Sequence, residues 1–198
     1  MRVALFGGSF DPVHQGHLLV AEFLRQRERL DRVVFIPAWR SPLKPRSRGS
    51  PAARLAMLRL AVRGNPAFRL STMELRRGGP SFTIDTVRLW RRRQRQRQRP
   101  FLLLGGDALL ELHTWRDWRD LLQEARLLVF ARPGAAAARR RARSLGLPYH
   151  EVALCSTSSS ALRSSLRRQR SIRYQVPEPV RRYIEKHRLY GWRGEERP

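Results

Sequence analysis

Apolar positions along the chain alternate between short continuous runs and stretches where they recur every three or four residues. Residues 3–6 (VALF) form a run stopped by Gly7 and Gly8, the pattern of a buried parallel strand entering a tight loop. His17, Leu18, Val20, Ala21, Leu24 and Leu30 follow at helical spacing, and 32–37 (RVVFIP) supplies a second β-rich run. Strand, helix and strand in that order is the unit of doubly wound sheets, so the prediction is an α/β protein with a Rossmann-like, doubly wound parallel sheet.

The alternation continues to the end. Ser50-Pro51 reads as an N-cap with proline at the first helical position, opening a helix over 51–63. A strand is expected around 68–75, a helix over 82–97, and a buried strand over 101–104 that ends at Gly105-Gly106. A helical stretch then runs through Leu122, followed by a strand over 126–131 that Arg132-Pro133-Gly134 closes. The remainder predicts a helix over 135–145, a strand over 149–154, and C-terminal helices over 159–169 and 178–187. Residues 40–50 (RSPLKPRSRGS) lack periodicity and read as a positively charged loop. The expected organisation is one domain over 1–198, with the sheet core in 1–155 and a helical part in 156–190.

Composition narrows this picture only slightly. At 198 residues and 41% hydrophobic content the chain can bury one good core. Cys155 is the single cysteine, so no intrachain disulfide forms and a reducing compartment is expected. The apolar run before Gly7 falls far short of a signal segment or a membrane span, which predicts a cytoplasmic protein with no membrane partner. Lys and Arg number 41 against 16 Asp and Glu, a net charge of +25 that attracts polyanions without choosing among them.

The densest candidate chemistry is Gly7-Gly8-Ser9-Phe10-Asp11-Pro12-Val13-His14-Gln15-Gly16-His17. Glycines after a strand let a ligand approach the backbone, and the next helix presents free N–H groups to phosphate. His14 and His17, three apart at the first turn, share a face from which both imidazoles can donate to a phosphoryl group as its charge redistributes. Read alone, the string is also compatible with a simple turn and two capping histidines.

Later motifs lie on the same predicted edge of the sheet. Thr83, beside Phe82, offers a hydroxyl and free amides at a helix start, or is a plain N-cap. Gly105 and Asp107 follow a buried strand, where Asp107 either meets a ribose hydroxyl or magnesium, or caps a helix. Trp115 is a stacking platform or a core residue, and Arg132 a ligand-edge cation or a surface ion pair. Ser158, Ser159, Ser160 and Arg163 open the penultimate helix with donors suited to phosphate oxygens.

GGSFDPVHQGH resembles the first motif, ending in HxGH, of the nucleotidyltransferase superfamily. The likeness to bacterial nicotinate-nucleotide adenylyltransferases continues through Pro80-Ser81-Phe82-Thr83 with Thr86, Gly105-Gly106-Asp107, Trp115, Ala131-Arg132-Pro133-Gly134 and Ser158-Ser159-Ser160-Ala161-Leu162-Arg163. The resemblance implies transfer of the adenylyl group of ATP, with Mg²⁺ carried by its phosphates, to nicotinate mononucleotide. It implies ATP contacts at Gly7, Gly8, Ser9, Phe10, His14, His17, Gly105, Asp107, Ser159, Ser160 and Arg163. His14, His17, Lys44 and Arg163 would carry the chemistry, and Phe82, Thr83, Trp115 and Arg132 the mononucleotide. Three departures stand out: Leu43 where the family has histidine in Pro-Pro-His-Lys, Phe82 where tyrosine is common, and Leu162 in place of isoleucine.

The alternatives are the same chemistry on nicotinamide mononucleotide or phosphopantetheine, and a basic nucleic-acid-binding protein on the same fold. Residues 88–99 hold seven arginines and no acid, and further clusters lie at Arg139, Arg140, Arg141 and Arg143 and at Arg163, Arg167, Arg168, Arg170 and Arg173. Apart from Trp90, no aromatic residue interleaves with them as a reading surface for nucleic acid would want. They are read as a solvated basic face that binds polyanions weakly and is screened by salt.

Overall fold

The computed structural model describes residues 1–42, 47–94, 98–153 and 157–194; Leu43, Lys44 and Cys155 lie outside them. Six strands form one parallel sheet: β1 (Val3–Gly8), β2 (Arg32–Pro37), β3 (Phe68–Leu70), β4 (Phe101–Gly105), β5 (Arg126–Ala131) and β6 (Tyr149–Glu151), in the order β3-β2-β1-β4-β5-β6. The chain winds outward from β1 in one direction and from β4 in the other. The doubly wound prediction therefore holds, and the boundary between β1 and β4 is the point where strand order reverses, which is where such sheets open a crevice for ligands.

β1 is apolar on both faces because both are covered. Ala4 and Phe6 point into one core, while Val3 and Leu5, one residue out of phase, point into the other. The first core is closed by α1 (Gln15–Arg27), α2 (Pro51–Val62), α8 (Ser159–Arg167) and α9 (Glu178–Lys186), through residues such as Leu24, Met57, Leu162, Leu166 and Ile184. The second is closed by α3 (Met73–Arg77), α4 (Thr83–Gln94), α5 (Gly106–Leu110), α6 (Trp118–Glu124) and α7 (Ala136–Ser144), with Ile84, Trp90, Leu109 and Leu121 buried. The C-terminal helices thus share a core with β1. No helix among the described residues is long and apolar enough to cross a membrane.

Two elements differ most from their predicted extents, and β6 also ends early, at Glu151, with Val152 and Ala153 outside the strand. β3 ends at Leu70, although Ser71 N–H still donates to the Phe35 carbonyl at 2.9 Å, and the chain then turns into α3. Met73 to Arg77 are good helix formers, and Gly78 takes the left-handed φ of 69° at the helix end. The helix expected through Leu122 is broken into α5, a 3-10 turn over Leu112–Thr114, and α6. Trp115 is extended and Asp117 left-handed at φ 49°, so that Trp115 and Trp118 both rest half-buried against the second core.

The arginine run is less solvated than expected at its inner end. Arg88 donates to Glu124 at 2.8 Å, Asp120 at 2.8 Å and Asp117 at 3.2 Å, and Arg91 reaches Glu124 at 3.2 Å. These contacts fasten α4 to α6, while Arg92 and Arg93 remain exposed.

Candidate active site

β1 and β2 end side by side, Gly8 opposite Pro37, and the loop beyond β1 folds back over the sheet edge into α1. Phe10 takes a left-handed φ of 46° and drops its ring into the core, edge-on to Phe6 at 5.6 Å and to His17 at 5.1 Å. A Cβ on Gly8 would sit 3.1 Å from that ring and press on it. With 2% exposure, the Phe10 side chain packs against His17 within the core and offers no surface to a ligand. Space above Gly7 is open: a Cβ there meets nothing within 4 Å.

His14 is the N-cap of α1 and His17 its third residue. The His14 N–H donates to Nδ1 of His17 at 3.2 Å, and the His17 N–H donates to the His14 carbonyl at 3.0 Å. The two rings lie 3.8 Å apart between centroids. Burial, and after it the positive charge of Arg132, push His14 down to about 4, so at neutral pH its ring carries no charge. Arg132 is exposed directly after the end of β5, on the same carboxyl edge of the sheet.

The N-terminus of α8 meets the same loop. Ser158 caps it by accepting from Ala161 N–H at 3.2 Å, Ser159 donates its hydroxyl to the Pro12 carbonyl at 2.9 Å, and Arg163 donates to the Asp11 carbonyl at 2.6 Å. Exposed Ser160 lies 3.1 Å from Ser158, hydroxyl to hydroxyl. Two helix N-termini, α1 and α8, therefore converge on Asp11-Pro12, with His14, His17 and Arg163 around it. The positive ends of both helix dipoles lie there, a setting for phosphate.

On the neighbouring strand, Gly105 ends β4 and Asp107 is exposed in the first turn of α5. Gly106 is buried where a Cβ would lie 2.9 Å from that of Ala131 and 3.0 Å from that of Ala138. Thr83 is half-buried at the first residue of α4. Arg116, adjacent to Trp115 and paired with Asp85, lies over the Phe82 ring at 4.2 Å, which brings the Phe82 and Trp115 segments together and occupies one face of Phe82. Trp115 Nε1 is buried with no hydrogen-bond partner among the described residues. Thr86 is buried and donates to Glu74 at 2.5 Å, and burial raises the Glu74 carboxyl above its ordinary range against the pull of Thr86, Ser81 and Arg77.

Sequence reasoning missed Arg54. Its guanidinium is fully buried and donates to the carbonyls of Ser9 at 2.8 Å, Trp39 at 3.2 Å and Gly49 at 3.3 Å. Burial lowers its pKa while the Asp11 charge opposes that shift. A signal was present: Arg54 stands three and four residues before Met57 and Leu58, on the apolar face of α2.

A parallel sheet with an HxGH loop at its switch point and two helix N-termini over it defines a nucleotidyltransferase. A family model described as cytidylyltransferase-like matches residues 5–170. A relative in Symbiobacterium thermophilum, named "Probable nicotinate-nucleotide adenylyltransferase", is 42% identical over 98% of this chain and 97% of its own. One of the same name in Thermus thermophilus is 44% identical over 96% of this chain and all of its own. The chain belongs to the cytidylyltransferase-like family, and within it to the nicotinate-nucleotide adenylyltransferases. Its fold is that of Plasmodium falciparum nicotinic acid mononucleotide adenylyltransferase, solved with NaAD (TM-score 0.78, 16% identity, 97% of this chain and 98% of that one) and with APC (TM-score 0.73, 15% identity, 97% and 98%).

Proposed function

We propose that the chain transfers the adenylyl group of ATP to nicotinate mononucleotide, giving deamido-NAD and pyrophosphate in NAD biosynthesis. The observation that carries this is the convergence of His14, His17 and Arg163 with the N-termini of α1 and α8 at the carboxyl end of β1. The names of the relatives and the ligands of the structural neighbours support the choice of substrates.

A phosphate oxygen of the mononucleotide attacks the α-phosphorus of ATP in line; a new P–O bond forms as the bond to the β-phosphate oxygen breaks, and the electron pair leaves with pyrophosphate. No covalent enzyme intermediate is required, so the protein's contribution is orientation and charge stabilisation. The Nδ1 of His17 accepts from His14 N–H, which in a neutral imidazole leaves the proton on Nε2 as a donor to a phosphoryl oxygen. Arg163, the hydroxyl of Ser160 and the Ser159 backbone at the start of α8 receive the β and γ phosphates, and Lys44 joins them as the family motif implies. Gly7, Gly8, Ser9 and the Phe10 backbone line the approach to ATP, with Gly105 and Asp107 beside its ribose.

Mg²⁺ is taken to arrive with the ATP phosphates. Asp107 is an exposed carboxylate at this edge of the sheet. Phe82, Thr83 and Trp115 are assigned to the pyridine end. Arg132, exposed directly after β5, is assigned to the mononucleotide with them. One nucleotidyltransferase domain over 1–198 in the cytoplasm completes the reading.

The test is pyrophosphate release from Mg·ATP with nicotinate mononucleotide, nicotinamide mononucleotide or phosphopantetheine supplied singly. Preference for the first is expected. Equal or greater release with either of the others overturns the assigned acceptor.

A further inference from the structure

Asp11 lies inside the HxGH string but has no part in the chemistry described above. It is 4% exposed, and its carboxylate accepts from Arg48 N–H at 2.7 Å, Gly49 N–H at 2.9 Å and the Tyr190 hydroxyl at 2.8 Å. Tyr190 belongs to the last turn among the described residues, Leu189–Gly191, and takes a left-handed φ of 59°. Arg54 ties the carbonyl of Ser9, two residues before Asp11, to Gly49 and Trp39. From the other side Arg163 and Ser159 hold the carbonyls of Asp11 and Pro12. Residues 9–12 are thus gripped by three segments remote in sequence: the start of α2, the N-terminus of α8 and the final turn.

Stability is a poor reason for this arrangement. Burying a carboxylate and a guanidinium carries a desolvation penalty that apolar packing of similar volume avoids. What ionised groups with several directed partners supply is one fixed geometry. The segment so fixed leads directly into His14 and carries the carbonyl that anchors Arg163. Close packing leaves little slack: a Cβ on Gly49 would fall 2.8 Å from both Asp11 Oδ1 and the Tyr190 hydroxyl.

We propose that Tyr190, acting through Asp11, is a positioning residue for the phosphate site, its hydroxyl holding the carboxylate that sets residues 9–12 and so the placement of His14, His17 and Arg163. The role rests on the adenylyl-transfer reading, since it is the geometry of that site that Tyr190 serves. The turn at Leu189–Gly191 is in this way coupled to a loop 179 residues earlier in sequence.

Two full-length variants disturb the contact independently: Tyr190→Phe removes the donor, and Gly49→Ala inserts a methyl group between its partners. Each should lower kcat about tenfold with KM for both substrates within about twofold of wild type, because misplacement by a fraction of an ångström acts on the transition state. Hydrogen exchange should rise over 8–14 in both variants while the sheet stays protected and the melting temperature changes little. Wild-type kcat with exchange changes confined to 189–192 and 48–50 would overturn the proposal. So would a kcat loss that merely tracks uniform loosening and a lower melting temperature, or a rise in KM alone. Failure of the wild-type protein to form product with any acceptor would refute the adenylyl-transfer reading instead, and the exchange pattern over 8–14 would still decide whether Tyr190 holds the loop.

Discussion

The backbone N–H of His14 points at Nδ1 of His17 across 3.2 Å, so one histidine of the HxGH motif fixes the tautomer of the other. Neutral His17 must then carry its proton on Nε2. Nitrogen-15 NMR of histidine-labelled protein at neutral pH should show Nδ1 of His17 as the unprotonated acceptor. A protonated Nδ1 in the neutral ring would remove the donor assigned to the transferring phosphate.

His14 is held neutral by burial first and Arg132 second. Its folded pKa of about 4 lies below the ordinary 6.5, so the unfolded chain takes up the proton first as pH falls. The stability contributed by the neutral ring is present above pH 6.5 and is lost as pH falls from there through about 4, on the order of 3 kcal/mol in all. Arg132→Ala should raise the His14 pKa only part of the way back, since burial remains. An NMR titration in which His14 keeps an ordinary pKa, or in which Arg132→Ala leaves it unmoved, would contradict this assignment.

Arg163 both donates to the Asp11 carbonyl and faces the proposed pyrophosphate. Losing a charge-assisted hydrogen bond of about 1.5–3 kcal/mol should cost Arg163→Ala roughly ten- to a hundredfold in kcat/KM for ATP. Arg163→Lys restores the charge without the planar fork and should recover only part of that loss. Full recovery by lysine would mean that charge alone matters at this position.

Gly106 tests the packing behind the ligand edge. Gly106→Ala forces a methyl group against Ala131 and Ala138 and should lower stability by about 1–3 kcal/mol, read as an earlier midpoint in denaturant. An unchanged midpoint would show that α7 can move away from α5 without penalty.

The alternation of apolar runs with helical spacing was enough to reveal the doubly wound sheet, because both faces of β1 are buried and its residues say so one by one. The short turns were harder to read. α3 follows β3 after two residues, and the break at Trp115 depends on Asp117 adopting a left-handed conformation that nothing in its neighbours demands. Among the candidate site residues, the HxGH histidines and Arg163 were legible as a motif, since spacing along a helix fixes which side chains share a face. The clamp of Asp11, Arg54 and Tyr190 was not, as its members are brought together only by the closure of α2 and the final turn over the same loop. Arg88 shows the converse: a run of one charge in sequence becomes an ion-pair hub once α6 supplies Asp117, Asp120 and Glu124.

The most direct measurement is the turnover of His17→Ala with Mg·ATP and nicotinate mononucleotide, alongside a melting curve. Loss of a preorganised donor at the transferring phosphate should lower kcat on the order of a hundredfold or more while the melting transition stays close to wild type. A kcat equal to wild type would contradict the assignment of adenylyl transfer to the HxGH loop.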